Sequence, residues 1–307
     1  MMDASALYAD LAKTGLPRRL FELARDEDLG VAGDVTAQAC IDAHATLAAN
    51  LVARQDAVLS GLACVDELID VFGARVGLAP NSCDDGDEVT RGDIVLRLEG
   101  NARDLLALER AMLNIIGRLS GVATLTALYK RTMLAGLQSG QPAPVLVDTR
   151  KTTPGWRVLE KYAVVCGGGL AHRLGLHDAV LIKDNHLAHI ANKGIAAFVR
   201  DAATKAREAS PIQFIMVEVD ALEQLRELLT LDAGVIDFVL LDNMGPDRLR
   251  EAVAMRDEAE SRVKLEASGG VNLHTIGAIA ATGVDRIAVG ALTHQAVSCD
   301  FALDADG

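Results

Sequence analysis

From Pro142 onward the chain repeats one unit, a short apolar run followed by a stretch of helical character. The runs read PVLVDT, DAVLIKD, FIMVEVD, DFVLLDN, VKLEASG and RIAVGA. Strand alternating with helix connects its strands by right-handed crossovers, so the six are expected to lie parallel in one sheet. In α/β barrels the functional groups gather at the C-terminal ends of the strands. Each run here ends on something polar or on glycine: Asp148 to Lys151, Lys183 and Asp184, Glu218, Asp242, Ser268 to Gly270, and Gly290.

The densest of these ends lie between Val145 and His186, where Arg150, Lys151, His172, Arg173 and Lys183 stand at the borders of apolar and glycine segments. Cations spread along a solvated face would alternate with other polar residues; these are set apart by buried-looking sequence, which brings them to one rim and makes an anion site. The glycines Gly167 to Gly169 look like a phosphate loop, but they lack its lysine-serine or lysine-threonine ending and are expected to serve close packing or a turn. His186 and His189 are three apart, a spacing zinc can use, yet no third ligand stands in register.

Several of these strings occur together in one family. DTRKTTPG, GGG followed by HR, and IKDNH, with DEDLG and GDVT before them, ERAMLN and RLSG in the middle, and ASGG and VDRIAVG after, make this chain resemble the quinolinate phosphoribosyltransferases, also called nicotinate-nucleotide pyrophosphorylases (carboxylating). The resemblance runs over nearly the whole length. It implies an α/β protein in which an N-terminal α+β sandwich-like domain, residues 1–119, precedes an open, incomplete TIM-like α/β barrel, residues 120–290. The tail, 291–307, would pack back on the first domain. An incomplete barrel also accounts for six strands where a closed one has eight.

The same resemblance implies a reaction: quinolinate and phosphoribosyl pyrophosphate give nicotinate mononucleotide, pyrophosphate and carbon dioxide, a step of NAD biosynthesis. Quinolinate presents two adjacent planar carboxylates, which suit the fork of a guanidinium. By the family pattern Arg150, His172, Arg173 and Lys183 hold these carboxylates, joined by Arg110 from a second subunit, and Lys151 faces the phosphoribosyl pyrophosphate. Glu218 and Asp242, at the ends of consecutive strands, would hold the ribose and Mg2+, with Asp184 a further metal candidate. Ser268, Gly269, Gly270 and Gly290, on late loops rich in backbone amides, would bind the 5-phosphate. A homodimer with a shared site follows from Arg110, and a hexamer is an alternative assembly. Two positions depart from the pattern, Ala171 before His-Arg and Trp156 after TTPG; neither removes a charge, and both bear on fine specificity.

The first half reads as mixed structure. Residues 16–30 suggest an amphipathic helix with Leu16, Leu20, Leu23 and Ala24 on one side, 46–62 two strands, 64–73 a helix, and DGDEVTRGDIVLRLEG a hairpin around Arg91-Gly92. Residues 101–119 carry the clearest helical period, with Asn101 as its cap and Arg110 and Asn114 one turn apart on one face.

A net charge of -13 with 3% aromatic residues excludes nucleic acid as a natural partner. An anionic substrate can still reach a local basic cluster, because salt screens the distant acids over about 8 Å. The start has no signal-like segment and no apolar run reaches the roughly 20 residues of a membrane span. Five scattered cysteines fit a reducing compartment, so a soluble cytoplasmic enzyme is expected. Cys166, beside the glycines, is the thiol to check for reactivity. Three rivals remain: a paralogous phosphoribosyltransferase for another aromatic acid, a Schiff-base aldolase using Lys151 or Lys183, and a non-catalytic nucleotide-binding barrel.

Overall fold

A computed structural model describes residues 4–80, 83–187 and 194–306. The chain divides into two compact units, one of Met1–Ala127, Thr152–Gly169 and Leu292–Gly307, the other of Leu128–Lys151 and Leu170–Ala291. The strands in chain order are β1 (Thr46–Ala53), β2 (Ala57–Val58), β3 (Val76–Leu78), β4 (Glu88–Val89), β5 (Ile94–Asn101), β6 (Val145–Val147), β7 (Val180–Ile182), β8 (Ile215–Val219), β9 (Phe238–Asp242), β10 (Lys264–Ser268), β11 (Arg286–Ala288) and β12 (Phe301–Ala305).

In the first unit a four-stranded sheet has the order β12-β1-β5-β3, with every pair antiparallel. The C-terminal segment supplies its edge, Phe301 opposite Ala53 and Ala305 opposite Ala49. The expected hairpin at Arg91-Gly92 is not one. β4 pairs with β2 in a separate two-stranded sheet, while β5 pairs with β1 and β3. The turn itself is real, with Gly92 at φ 100°, but its amide donates to Ala53 O and the Arg91 amide to Asp56 Oδ1, so it ties back to the β1–β2 corner. The Leu16–Leu29 helix buries Pro17 and Phe21, whereas Leu16 and Leu23 are exposed, so its inward face lies one residue round from the leucine stripe.

The helix expected over 101–119 runs from Ala102 to Ala135. Asn101 caps it, its Oδ1 accepting from the Arg103 and Asp104 amides at 3.1 and 3.2 Å. Leu105, Leu108, Met112, Ile115, Ile116 and Leu119 are all buried. The expected domain boundary at residue 119 falls inside this helix. On either side of it, Gly117 and Gly121 admit the tail: a Cβ at Gly121 would stand 2.1 Å from Val297 O, and one at Gly117 2.7 Å from Cys299 O. By length and composition this helix could cross a bilayer, but 67% of its most apolar stretch is buried inside the protein, as in a core helix.

The second unit holds one six-stranded sheet, order β6-β11-β10-β9-β8-β7, every pair parallel. Strands β7 to β11 are neighbours in sequence order, and the earliest strand, β6, joins the last. A sheet so ordered is a barrel left open between β6 and β7. In the gap runs an irregular segment, 170–179: the Leu170 amide donates to Leu146 O and the Asp148 amide to Leu170 O on one side, and the Gln213 amide to Asp178 O on the other. The interior is apolar below, with Ala179, Phe214, Met216 and Leu240 packed on Leu181 and Phe238. Higher up, the register turns it polar. Glu218 aligns with Leu240, Leu240 with Glu266, and Glu266 with Arg286, so one layer across the sheet carries charge on the inward face.

Candidate active site

Most of the expected ligands lie in the second unit, at strand ends or in the gap segment. Asp148, fully buried at the end of β6, fixes the segment by accepting the His172 amide at 2.7 Å. Asp178 closes its turn, accepting the Leu174 and Gly175 amides at 2.6 and 2.9 Å. Arg173 follows directly and is buried, with one guanidinium N–H reaching Ala179 O at 3.3 Å. Burial holds its pKa below the usual arginine range. The Arg150 cation pushes it the same way, and Asp178 and Glu218 oppose. The Arg150 Nε–H is itself buried and meets no hydrogen-bond acceptor among the described residues. Two guanidinium groups therefore repel one another, with a donor between buried surfaces unsatisfied, which is the condition an anion relieves.

Lys183 continues β7, and its ammonium pairs with the Glu218 carboxylate at the end of β8. Asp242 ends β9; its Oδ2 accepts from Asn243 Nδ2 at 3.0 Å. Asp184 is exposed at the start of a one-turn helix, Asp184–Leu187, where its Oδ1 accepts the Asn185 amide. Lys151 is exposed, its amide donating to Thr149 Oγ1. His186 accepts the Lys183 amide on Nδ1 at 2.9 Å; His189 lies outside the described residues. Ala171 is exposed beside the buried His172. Arg110 and Asn114 are exposed on the Ala102–Ala135 helix of the first unit, one turn apart.

The loops after β9 and β10 are stitched together. The Asn243 amide donates to Ser268 O at 2.8 Å, and Asn243 sits at φ 54°, a conformation asparagine tolerates better than most side chains. Gly269 and Gly270 follow at φ 89° and 63°. A Cβ on Gly269 would lie 2.3 Å from Asn243 Oδ1, so glycine is required there by backbone and by neighbour alike. Gly290 follows the next strand, β11, just before the short Ala291–His294 helix.

Two networks were not singled out by the sequence reading. In the barrel, Glu266 is 0% exposed and pairs with Arg286 Nε at 2.9 Å and His172 Nε2 at 3.3 Å. The Arg286 guanidinium lies 4.3 Å above the Phe238 ring. A glutamate and an arginine inside the otherwise apolar runs VKLEAS and RIAV were the available signal. In the first unit, buried Glu160 accepts from Arg118 Nε and, at 3.0 Å each, from the Thr153 amide and hydroxyl. Arg118 also donates to Thr293 O and Ala296 O. This clamp holds the loop that follows Lys151. Gly167 packs as expected for close approach, a Cβ there falling 2.3 Å from Ala123 O. Burial pushes the Cys166 thiol up to about 12, away from a reactive thiolate.

Comparison with known proteins agrees over most of the chain. Residues 34–120 match the N-terminal domain of quinolinate phosphoribosyl transferase and residues 122–304 its C-terminal domain. The chain is 40% identical to the nicotinate-nucleotide pyrophosphorylase (carboxylating) of Mycobacterium leprae, over 92% of this chain and 98% of that one. It is 39% identical to a probable enzyme of the same name from Bacillus subtilis, over 91% and 89%. The solved nicotinate-nucleotide pyrophosphorylase of Francisella tularensis superposes with a TM-score of 0.80 at 33% identity, covering 95% of this chain and 96% of that one. With both domain models matched in order, and with relatives this similar, the chain belongs to the quinolinate phosphoribosyl transferase family.

Proposed function

We propose that this protein transfers the phosphoribosyl group of phosphoribosyl pyrophosphate to the ring nitrogen of quinolinate and releases carbon dioxide, giving nicotinate mononucleotide and pyrophosphate. The observation that carries the reading is the repelling pair Arg150 and Arg173, with the buried Arg150 Nε–H left without an acceptor among the described residues. Two adjacent carboxylates supply the charge and the oxygens that this pair lacks. Lys183, whose ammonium is paired with Glu218, would add a third cation. Arg110, on the helix of the first unit, completes the grip from a second copy of the chain, in a homodimer or a hexamer built from one.

Decarboxylation then follows from the substrate. Bonding of the ring nitrogen to ribose C1 expels pyrophosphate and leaves the nitrogen cationic. The adjacent C–CO2 bond breaks, its electron pair stays on ring carbon as an ylide stabilised by that nitrogen, and the carbon takes a proton. The chain aligns two polyanions and neutralises them. Lys151 and the Ser268–Gly270 and Gly290 loops hold the phosphoribosyl pyrophosphate, the loops at its 5-phosphate, and Glu218 and Asp242 face its ribose.

A magnesium ion fits this donor set as an ion carried by the substrate. No group of three His, Cys, Asp or Glu side chains gathers among the described residues. Mg2+ needs only one or two carboxylates beside phosphates and waters. Asp242, whose Oδ2 is taken by Asn243, has its other oxygen to offer, with Glu218 and Asp184 as further donors. The ion would neutralise charge on the departing pyrophosphate. The free cysteines fit a cytoplasmic enzyme. The aldolase reading loses support, because Lys183 is ion-paired rather than held as a free amine in an apolar pocket.

The test is to mix the purified protein with quinolinate, phosphoribosyl pyrophosphate and Mg2+ and to measure nicotinate mononucleotide and carbon dioxide. Equal amounts of both are expected, with no product from nicotinic acid. Product from nicotinic acid and none from quinolinate contradicts the reading.

A further inference from the structure

We propose that Arg118 and Glu160 are positioning residues for phosphoribosyl pyrophosphate, fixing together the two chain segments that lead away from Lys151 and Gly290. The inference rests on the reading of Lys151 and Gly290 as contacts to that substrate.

The tie is built within the first unit. Glu160, on the Arg157–Cys166 helix, is 0% exposed. Its Oε1 accepts from Arg118 Nε at 3.2 Å, from Arg118 Nη2 at 2.5 Å and from the Thr153 hydroxyl at 3.0 Å, and its Oε2 accepts the Thr153 amide at 3.0 Å. Arg118 in turn donates from Nη2 to Thr293 O at 2.6 Å and from Nη1 to Ala296 O at 2.7 Å. With both oxygens engaged and no surface exposed, Glu160 acts on a substrate only through what it holds. The planar fork of arginine serves one side chain and two carbonyls at once, which a single ammonium cannot.

The two segments held are far apart in sequence but alike in what precedes them. Thr153 stands two residues after Lys151 and Thr293 three after Gly290, each just past a point where the chain passes from the second unit into the first. The first segment is fixed further by its own bonds. Thr152 Oγ1 accepts from Arg157 Nε at 3.1 Å, the Trp156 amide donates to Thr153 O at 3.0 Å, and Trp156 O accepts the Glu160 amide at 2.9 Å. The second begins as a helix of four residues, Ala291–His294, too short to satisfy its own carbonyls, and Arg118 takes that of Thr293. Lys151 is exposed on a long flexible stem, so where its ammonium reaches depends on how its backbone is rooted. The Gly290 loop would meet a phosphate with backbone amides, whose direction is set by the chain on either side. A buried ion pair gains little net stability over apolar side chains of the same volume. What Arg118 and Glu160 gain is the joint placement of two roots.

The proposal is tested on the whole protein by two readouts. Arg118→Lys keeps a charge opposite Glu160 but gives up the fork to the two carbonyls. It should raise KM for phosphoribosyl pyrophosphate by about tenfold to 100-fold, toward the loss that about 1 Å of misplacement can cause. The dissociation constant for quinolinate, read by calorimetry, should stay at its wild-type value, because the Arg150 Nε is held by its own burial. An unchanged KM, or an equal rise in both constants as general loosening would give, overturns the proposal. Hydrogen exchange read by mass spectrometry should quicken in 152–156 and 292–296 together in this variant, with β1 and β5 unchanged, and should slow in both segments of the wild type when phosphoribosyl pyrophosphate and Mg2+ are added. Loosening or slowing of one segment alone overturns it. If Arg118→Lys does not fold, Thr153→Val leaves the buried charges paired and should give the same split of constants at about twofold to tenfold, the range for one hydrogen bond; no split overturns it. If quinolinate does not turn over in the wild type, the functional reading fails, while the exchange of the two segments with phosphoribosyl pyrophosphate still decides the proposal.

Discussion

At the scale of single residues, the site is a place where charges are held in tension. Arg173 shares its surroundings with Arg150, so replacing it by lysine removes the planar fork while keeping the charge. Arg173→Lys should lower kcat/KM for quinolinate by about tenfold or more, since a hydrogen bond to a charged group is worth roughly 1.5–3 kcal/mol. A wild-type value in steady-state assays would remove Arg173 from the grip. Gly269 is under a different constraint, and Gly269→Ala must carry a side chain at φ 89° against Asn243. The change should cost about 1–3 kcal/mol in chemical denaturation and raise KM for phosphoribosyl pyrophosphate. Cys166, half-buried and held protonated, should resist iodoacetamide at pH 8 while the exposed Cys40 is labelled, as peptide mass mapping would show. The cations at strand ends could be read from the sequence because each interrupts an apolar run. The tie between Glu266 and Arg286 could not, since two residues in separate strands become neighbours only when the parallel register is known.

At the scale of elements, what was legible depended on how local the signal was. Helical period and the Asn101 cap are local, and the Ala102–Ala135 helix follows from them, although its middle depends on glycines that meet the tail far along the chain. Asn101→Ala should cost about 1 kcal/mol of stability, read as a lower midpoint in urea. The Arg91-Gly92 turn was recognisable, but which strands it joins was not, because strand partners are set by tertiary packing. The stripe on the Leu16–Leu29 helix misled for a related reason. Phe21 has more apolar surface to bury than Leu23 and takes the inward place. Glu160, inside a helix, looks like any surface acid until Arg118 and Thr153 converge on it. Glu160→Ala strands the Arg118 charge and should cost about 3–5 kcal/mol.

At the scale of the whole molecule, a chain with net charge -13 keeps the Arg150 and Arg173 cations together at the open seam of a barrel. The irregular segment between β6 and β7 stands where further strands would close the ring, and it carries His172 and Arg173. The incomplete barrel and the proposed anion site are in this sense one feature. Association of quinolinate with such a local cluster should weaken as salt rises. If Arg110 acts across a dimer, mixing inactive Arg110→Ala and Arg173→Ala protomers should restore part of the activity, because one of the two sites in a mixed dimer carries neither change. The most direct measurement of the central claim is calorimetric titration of the free protein with quinolinate and, separately, with nicotinic acid. Two carboxylates should bind at least about tenfold tighter than one, the least expected from a further charge-assisted contact. Equal affinity for the two acids would contradict it.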